Sequence, residues 1–269
     1  MPSLFNANSA AAYEQVMGRW SRRLAPLLTK FAGVADGEHV LDVGCGTGSL
    51  TFALPRAANI AVVTGIDFAQ PYIDHARRIN TDPRITLHQG DACAMPFDTG
   101  VFDRAIAMLS LQFIPEVARA VREMRRAVQR GGTVAAAVWD TYGGMPAQRM
   151  FWDVAGVLDP DAIRHRAGSN FNPLARAGGL GDLWRDIGLQ DVREAPLMVR
   201  MEFANFADYW TPIESGEAAL GQYHNRLDDA ARAMLRDRVR AAFEAGAPDG
   251  PRSLVAVALA CRGTVPAAA

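Results

Sequence analysis

His39-Val40-Leu41-Asp42-Val43, running into Gly44-Cys45-Gly46-Thr47-Gly48, is the stretch whose reading decides the fold. The first five residues are short and mostly apolar, as a buried strand requires, and glycines at every second position then suit a tight turn. The apolar run over 50–54 predicts a helix, which Pro55 limits or kinks by removing a backbone donor and crowding the preceding turn. A strand, a glycine turn and a helix in that order bring unhindered backbone and unpaired amide donors to a strand end where a ligand can approach.

The same alternation continues on either side. Leu24, Leu27, Leu28 and Phe31 recur at helical spacing over 21–33, a helix ending at Gly33. Strands are predicted over 60–66, 85–88, 102–109 and 133–139, with helices over 71–79 and 115–129. The second of these helices carries Val117, Val121, Met124 and Val128 on one stripe and is stopped by Gly131-Gly132. Two later strands, 192–203 and 253–261, bring the total to seven. The fold class is therefore α/β, a mostly parallel sheet with helices on both faces and ligand sites outside the carboxyl ends of its strands. Residues 1–139 read as N-terminal helices plus the ligand-binding half of this sheet. Segments 140–178 and 204–250 read as mainly helical insertions forming a lid, 179–203 as a return to the sheet, and 251–269 as the final strand and tail.

Composition narrows the function. With 28 Lys+Arg against 29 Asp+Glu, no basic field draws the chain to nucleic acid or to an anionic membrane. The arginines at 119, 122, 125, 126 and 130 read as a solvated helix face. Cys45, Cys93 and Cys261 are too far apart for a disulfide framework or a zinc knuckle, so no metal is expected, and a reducing cytoplasm fits best. No leader pattern or membrane-length apolar run is visible, which predicts a soluble protein.

Two further acids complete the pattern. Asp67 ends the second strand, where a carboxylate can accept both hydroxyls of a ribose, and Asp91 follows the third, within reach of an adenine amino group. A dinucleotide site wants G-x-G-x-x-G; here Gly48 falls one position early and Ser49 stands where Gly or Ala is expected. Val40 to Gly48, Gly65-Ile66-Asp67, Gly90-Asp91-Ala92 with Met95-Pro96-Phe97, and Phe102-Asp103 together resemble the class I S-adenosylmethionine-dependent methyltransferases. The resemblance is especially to the broad group of small-molecule enzymes similar to the ubiquinone/menaquinone C-methyltransferases. The resemblance covers roughly 40–139 and implies a Rossmann-like sheet binding S-adenosyl-L-methionine, with S-adenosyl-L-homocysteine as product. It implies that the glycine loop with Gly44 and Gly46 holds the methionine part, Asp67 the ribose and Asp91 the adenine; Asp42, Cys45, Ala92 and Leu109 are further candidates for the cofactor site, and Phe68, beside the ribose acid, can cover the adenine face. Tyr13 and Trp20 match aromatic positions that lie over the cofactor in similar enzymes, where a ring suits a sulfonium. Gln112, Trp139 and Tyr142 are the candidates for a substrate pocket.

Each residue also has a plainer role open to it. Asp42 can serve only the loop amides, the cysteines can be packing residues, and His165 and His224 can be surface residues. Relatives often carry histidine where this chain has Ser110-Leu111-Gln112-Phe113, and the turn before the fifth strand reads Gln129-Arg130-Gly131-Gly132 rather than Arg-Pro-Gly-Gly. The expected function is methyl transfer to a small organic acceptor by in-line displacement, driven by positioning and desolvation, in a monomer or homodimer. An NAD-dependent oxidoreductase and a non-catalytic S-adenosylmethionine-binding module are the competing readings.

Overall fold

Side chains that alternate along each strand sort this chain into two cores, one on each face of a single sheet. The structure, a computed structural model, describes residues 13–170, 172–216 and 218–267. Among them the strands are β1 (His39–Val43), β2 (Val62–Asp67), β3 (Ile85–Gln89), β4 (Phe102–Met108), β5 (Val128–Trp139), β6 (Gln190–Phe203) and β7 (Arg252–Thr264). Their order is β3-β2-β1-β4-β5-β7-β6. The first five pair in parallel, and β7 runs antiparallel to both β5 and β6. The seven-stranded, mostly parallel α/β sheet read from the sequence is thus the fold.

Val40, Ile106, Ala135 and Ala137 face one core, where α1 (Arg19–Ala32) packs through Leu24 and Leu28. Leu41, Ala105, Val134 and Ala136 face the other, shared with Val121 and Met124 on a helix to the opposite side. Trp184 anchors that second core, fully buried, with its indole N–H donating to the Val134 carbonyl at 3.0 Å. Because β1 connects outward to β2 and β3 before the chain crosses back to β4, the strand order reverses between β1 and β4. That reversal opens a crevice at the carboxyl edge.

Two local expectations change. After the glycine turn no helix forms over 50–54; Gly48 to Ala53 is a series of turns, and only α2 (Leu54–Ala57) is helical. Pro55 sits in its first turn, where a missing N–H costs nothing, so the proline starts this helix rather than limiting an earlier one. The predicted helix over 115–129 is α4 (Val117–Ala127), which ends before the glycine pair. Val128 leaves the stripe to pair with Phe102, and β5 then shifts register across Gly131-Gly132 before Thr133 pairs with Arg104. A bulge absorbs the extra residues.

The remaining helices are α3 (Gln70–Ile79), α5 (Pro146–Leu158), α6 (Asp161–Asn170), α7 (Gly179–Asp186), α8 (Phe206–Glu214), α9 (Ala218–Arg226) and α10 (Asp229–Phe243). Segments 140–178 and 204–250 are mainly helical and are bonded to each other. The Tyr209 hydroxyl donates to the Ala147 carbonyl, and the Tyr223 hydroxyl to Asp159, both at 2.9 Å. Phe151, Phe206, Trp210 and Phe243 lie buried where these helices meet, on the same core as Val199 and Met201 of β6. No helix among the described residues is long and apolar enough to cross a membrane.

Candidate active site

Parallel register brings the ends of four strands to one edge. Asp42 pairs with Gly65 and Val43 with Ile66, Asp67 lies beside Gln89, and Met108 lies beside Ala137. The loops leaving this edge enclose a cavity of about 480 Å³, within the range of roughly 300–1,000 Å³ usual for small-molecule sites. Ten of the residues singled out from the sequence line it: Tyr13, Asp42, Gly44, Cys45, Gly46, Asp67, Phe68, Asp91, Ala92 and Leu109.

The glycine turn is held down at several points. Gly44 and Cys45 donate their amides to the Ile66 carbonyl, at 2.8 and 3.1 Å. Gly44 has φ +71°, and a Cβ there would come within 2.3 Å of the Ser110 Cβ, so glycine is required for conformation and for space alike. Gly46 also has positive φ, +55°, but a Cβ on it would meet nothing nearer than the Tyr72 ring at 4.0 Å. It leaves room on the cavity side. Leu109, with φ +60°, is a strained position at the end of β4, held by its amide's bond to the Ala137 carbonyl at 2.8 Å.

Three carboxylates converge on this wall. Asp67 accepts from the Gly46 amide on one oxygen and the Ala69 amide on the other, both at 2.8 Å, so each oxygen keeps a lone pair. Burial pushes its carboxyl above the usual range, against those two bonds. Asp91 accepts from the Cys93 amide at 2.8 Å. Asp42 is 1% exposed; one oxygen accepts from the Thr51 hydroxyl at 2.6 Å and the other has no partner. Burial raises its pKa to about 7, partly offset by that hydroxyl. A buried carboxylate oxygen without a partner is uncommon. Cys45 packs its sulfur against Gly65, and burial pushes its thiol up, which makes it a packing residue rather than a nucleophile.

Aromatic cover comes from one end of the chain. Tyr13 lies 5.5 Å from the Tyr72 ring, its hydroxyl 3.2 Å from that of Ser21, and burial raises its pKa. Next to it the π-helical turn Glu14–Gly18 places Glu14 against the glycine turn, accepting from the Thr47 hydroxyl at 2.5 Å and paired with Arg22. Phe68 is half exposed at the rim. Thr47, Ser110, Phe113 and Tyr72 also line the cavity. Sequence reasoning missed Tyr72 as a wall residue because one face of an amphipathic helix reads simply as core.

Four candidates lie elsewhere. Trp20 packs edge-on to Phe203 at 5.5 Å and walls a second cavity of about 80 Å³ between α1, β6 and α8. Seven residues of α-helix would return it to the face of Tyr13, but the π-turn between them holds more residues per turn and rotates it away. Gln112 lies in a 3-10 turn that presents Phe113 to the cavity instead; the Gln112 carbonyl accepts from the Asn172 side chain at 2.9 Å. Trp139 is 6% exposed, inside the core shared with Met145 and Ala147, and its indole nitrogen has no partner. Tyr142 is 44% exposed in a turn built on Asp140. The lid expectation changes for the same reason: among the described residues, none from 140–178 or 204–250 lines the larger cavity. Their aromatic faces are spent on β6, β7 and each other, so these segments widen the core and wall the smaller cavity.

Residues 40–132 match the family described as Methyltransferase domain. The match takes in the glycine turn, Asp67 and Asp91, over about a third of the chain. Demethylmenaquinone methyltransferase of Staphylococcus aureus is 34% identical to it over 117 residues, 43% of this chain and 47% of that protein. The chain thus spans about half the length of the curated relatives it matches. Among solved structures, a putative methyltransferase from an antibiotic biosynthesis pathway of Anabaena variabilis superposes with a TM-score of 0.61 at 17% identity, covering 91% of this chain and 99% of that one. Phosphoethanolamine N-methyltransferase 2 of Haemonchus contortus, in complex with phosphomonomethylethanolamine and S-adenosylhomocysteine, gives 0.60 at 17% identity, covering 96% and 57%. At these identities the likeness is one of fold, and this chain's own cavity wall must carry the chemistry.

Proposed function

We propose that this chain binds S-adenosylmethionine in the larger cavity and transfers its methyl group to a small organic acceptor. The charge of the glycine end carries the reading. Asp42 and Asp67 place two carboxylates beside Gly44 and Gly46, where a dinucleotide would need to seat a diphosphate. Turns follow Gly48 where a phosphate would need a helix N-terminus. Such a wall suits the cationic amino end of an aminoacyl ligand and repels a pyrophosphate. The orphaned Asp42 oxygen, the open side of Gly46 and the spare lone pairs of Asp67 fit that ligand in turn.

In this reading Asp67 receives the two ribose hydroxyls, Asp91 with Ala92 the adenine edge, and Phe68 one adenine face. Asp42, Gly44 and Gly46 take the amino-acid end. Tyr13 and Tyr72 present ring faces and shield the site from water. When bound, S-adenosylmethionine supplies an electrophilic methyl on a sulfonium: the acceptor's lone pair takes the carbon, the carbon–sulfur pair stays on sulfur, and the acceptor sheds its proton to solvent. The sulfur leaves neutral, so the protein's share is alignment and exclusion of water.

Equilibrium titration tests the assignment. Saturable binding of S-adenosylhomocysteine is expected, with none for NAD; the reverse result overturns the reading. A cofactor-dependent methylated product from any acceptor removes the alternative of a non-catalytic module.

A further inference from the structure

The two cavities share no lining residue, and one element faces both. In the π-helical turn Glu14–Gly18, Glu14 accepts from Thr47 on the wall of the larger cavity, whereas Val16 and Met17 line the smaller. Trp20, Phe203 and Tyr209 add rings to the smaller wall, and Met145 and Met201 add thioethers. Its one cation is already met: Arg19 donates one terminal nitrogen to the Asp208 carboxylate at 2.8 Å and the other to the Asp208 carbonyl at 3.3 Å. The Tyr209 hydroxyl is likewise committed, to the Ala147 carbonyl. Two polar groups on this wall remain open. The Arg19 Nε is buried without a partner, and the partly buried Gln148 side chain makes no hydrogen bond among the described residues.

We infer that the smaller cavity is a second ligand site, which takes an uncharged ring compound bearing one hydrogen-bonding group, and that filling it slows release of the ligand held in the larger cavity. The chemistry of the wall sets the class. A charged ligand would leave water for rings and thioethers with no free counter-charge. A neutral ring gains by burial, and its polar group meets Gln148 and the Arg19 Nε. The cavity of about 80 Å³ is smaller than the roughly 150 Å³ that admits benzene. Met17, Met145 and Met201, unbranched and adaptable, can swing aside to make up the difference. A ring packed on Val16 and Met17 stiffens the π-turn, and Glu14 carries that stiffening to the glycine loop through Thr47. The coupling is reciprocal, as any linkage between two sites must be. It rests on the S-adenosylmethionine reading above, whereas the second site itself does not.

The test uses the full chain at neutral pH, with phenol as the probe and benzoate and benzylammonium as its charged counterparts. Calorimetry is expected to show saturable binding of phenol and none of the other two; no binding of phenol, or equal binding of a charged probe, overturns the site. Leu220→Trp, which fills the cavity from a partly buried position on α9, is expected to abolish phenol binding while affinity for S-adenosylhomocysteine stays within twofold. Gln148→Ala, a milder change, should weaken phenol at least threefold. Phenol affinity unchanged in either variant overturns the placing of the ring in this cavity, as does conversion of phenol to its methyl ether by S-adenosylmethionine, which would put it at the methyl donor. In stopped-flow traces saturating phenol is expected to slow dissociation of S-adenosylhomocysteine at least threefold, and S-adenosylhomocysteine to tighten phenol binding in turn. An unchanged off-rate overturns the coupling. A chain that binds phenol but not S-adenosylhomocysteine overturns the cofactor reading and the coupling with it, while the second site stands.

Discussion

Asp42 is a carboxylate kept half-satisfied in the interior, and its titration links stability to ligand binding. In the unfolded chain it releases its proton near pH 4, whereas in the fold burial holds the proton to about pH 7. Between these values the native state binds a proton that the unfolded state has lost, so this group's contribution to stability falls as pH rises, by up to about 4 kcal/mol above pH 7. Asp42→Asn is expected to gain stability relative to the parent at pH 8 and little at pH 4, which urea unfolding at the two values will show. A cationic ligand favours the ionised form, so affinity for S-adenosylmethionine should rise from pH 6 to 7.5 in the parent and stay flat in the variant. Asp67→Ala should weaken S-adenosylhomocysteine binding by about 1–3 kcal/mol through loss of charge-assisted bonds; unchanged affinity by calorimetry would place the ribose elsewhere. Both acids were legible in the sequence because a glycine turn and an acid at a strand end are local signals. Tyr72, Ser110 and Phe113 were not, since their place on the wall depends on register between distant strands.

The π-turn shows how an element can undo a correct pattern. The resemblance put Tyr13 and Trp20 together over the cofactor, yet the turn between them sends one to the larger cavity and the other to the core beside Phe203. Its Glu14 fastens the turn to Thr47 and so ties the aromatic cover to the glycine loop. Glu14→Ala is expected to speed dissociation of S-adenosylhomocysteine several-fold in stopped-flow traces while the melting temperature moves by only a degree or two; an unchanged off-rate would mean that the cover closes without this tie. Val128 tells a similar story, since it satisfies the helical stripe of α4 but is taken by β4. Periodicity cannot see a partner strand 26 residues away in sequence (Phe102 to Val128). The aromatic helices of 140–178 and 204–250 were legible as helices but not in their placement, because nothing local says which face of the sheet they cover.

At the scale of the molecule the sheet is sealed by Trp184, which closes the core under β5 with both its ring and its N–H. Trp184→Ala should cost about 3–5 kcal/mol, with loss of the bond to Val134 included; a chemical-denaturation midpoint within error of the parent would show that the core collapses without it. β7 lies between β5 and β6 although it is the last of the seven to appear along the chain. During synthesis β6 therefore waits from residue 203 to residue 252 for its neighbour in the sheet, and β5 carries an open edge for longer still. A half-made chain displays two unmatched strand edges, the surface on which nascent chains pair with one another. The site at the far side of the sheet can form early, whereas the half that supports it is completed only when the final strand slides between two that are already in place.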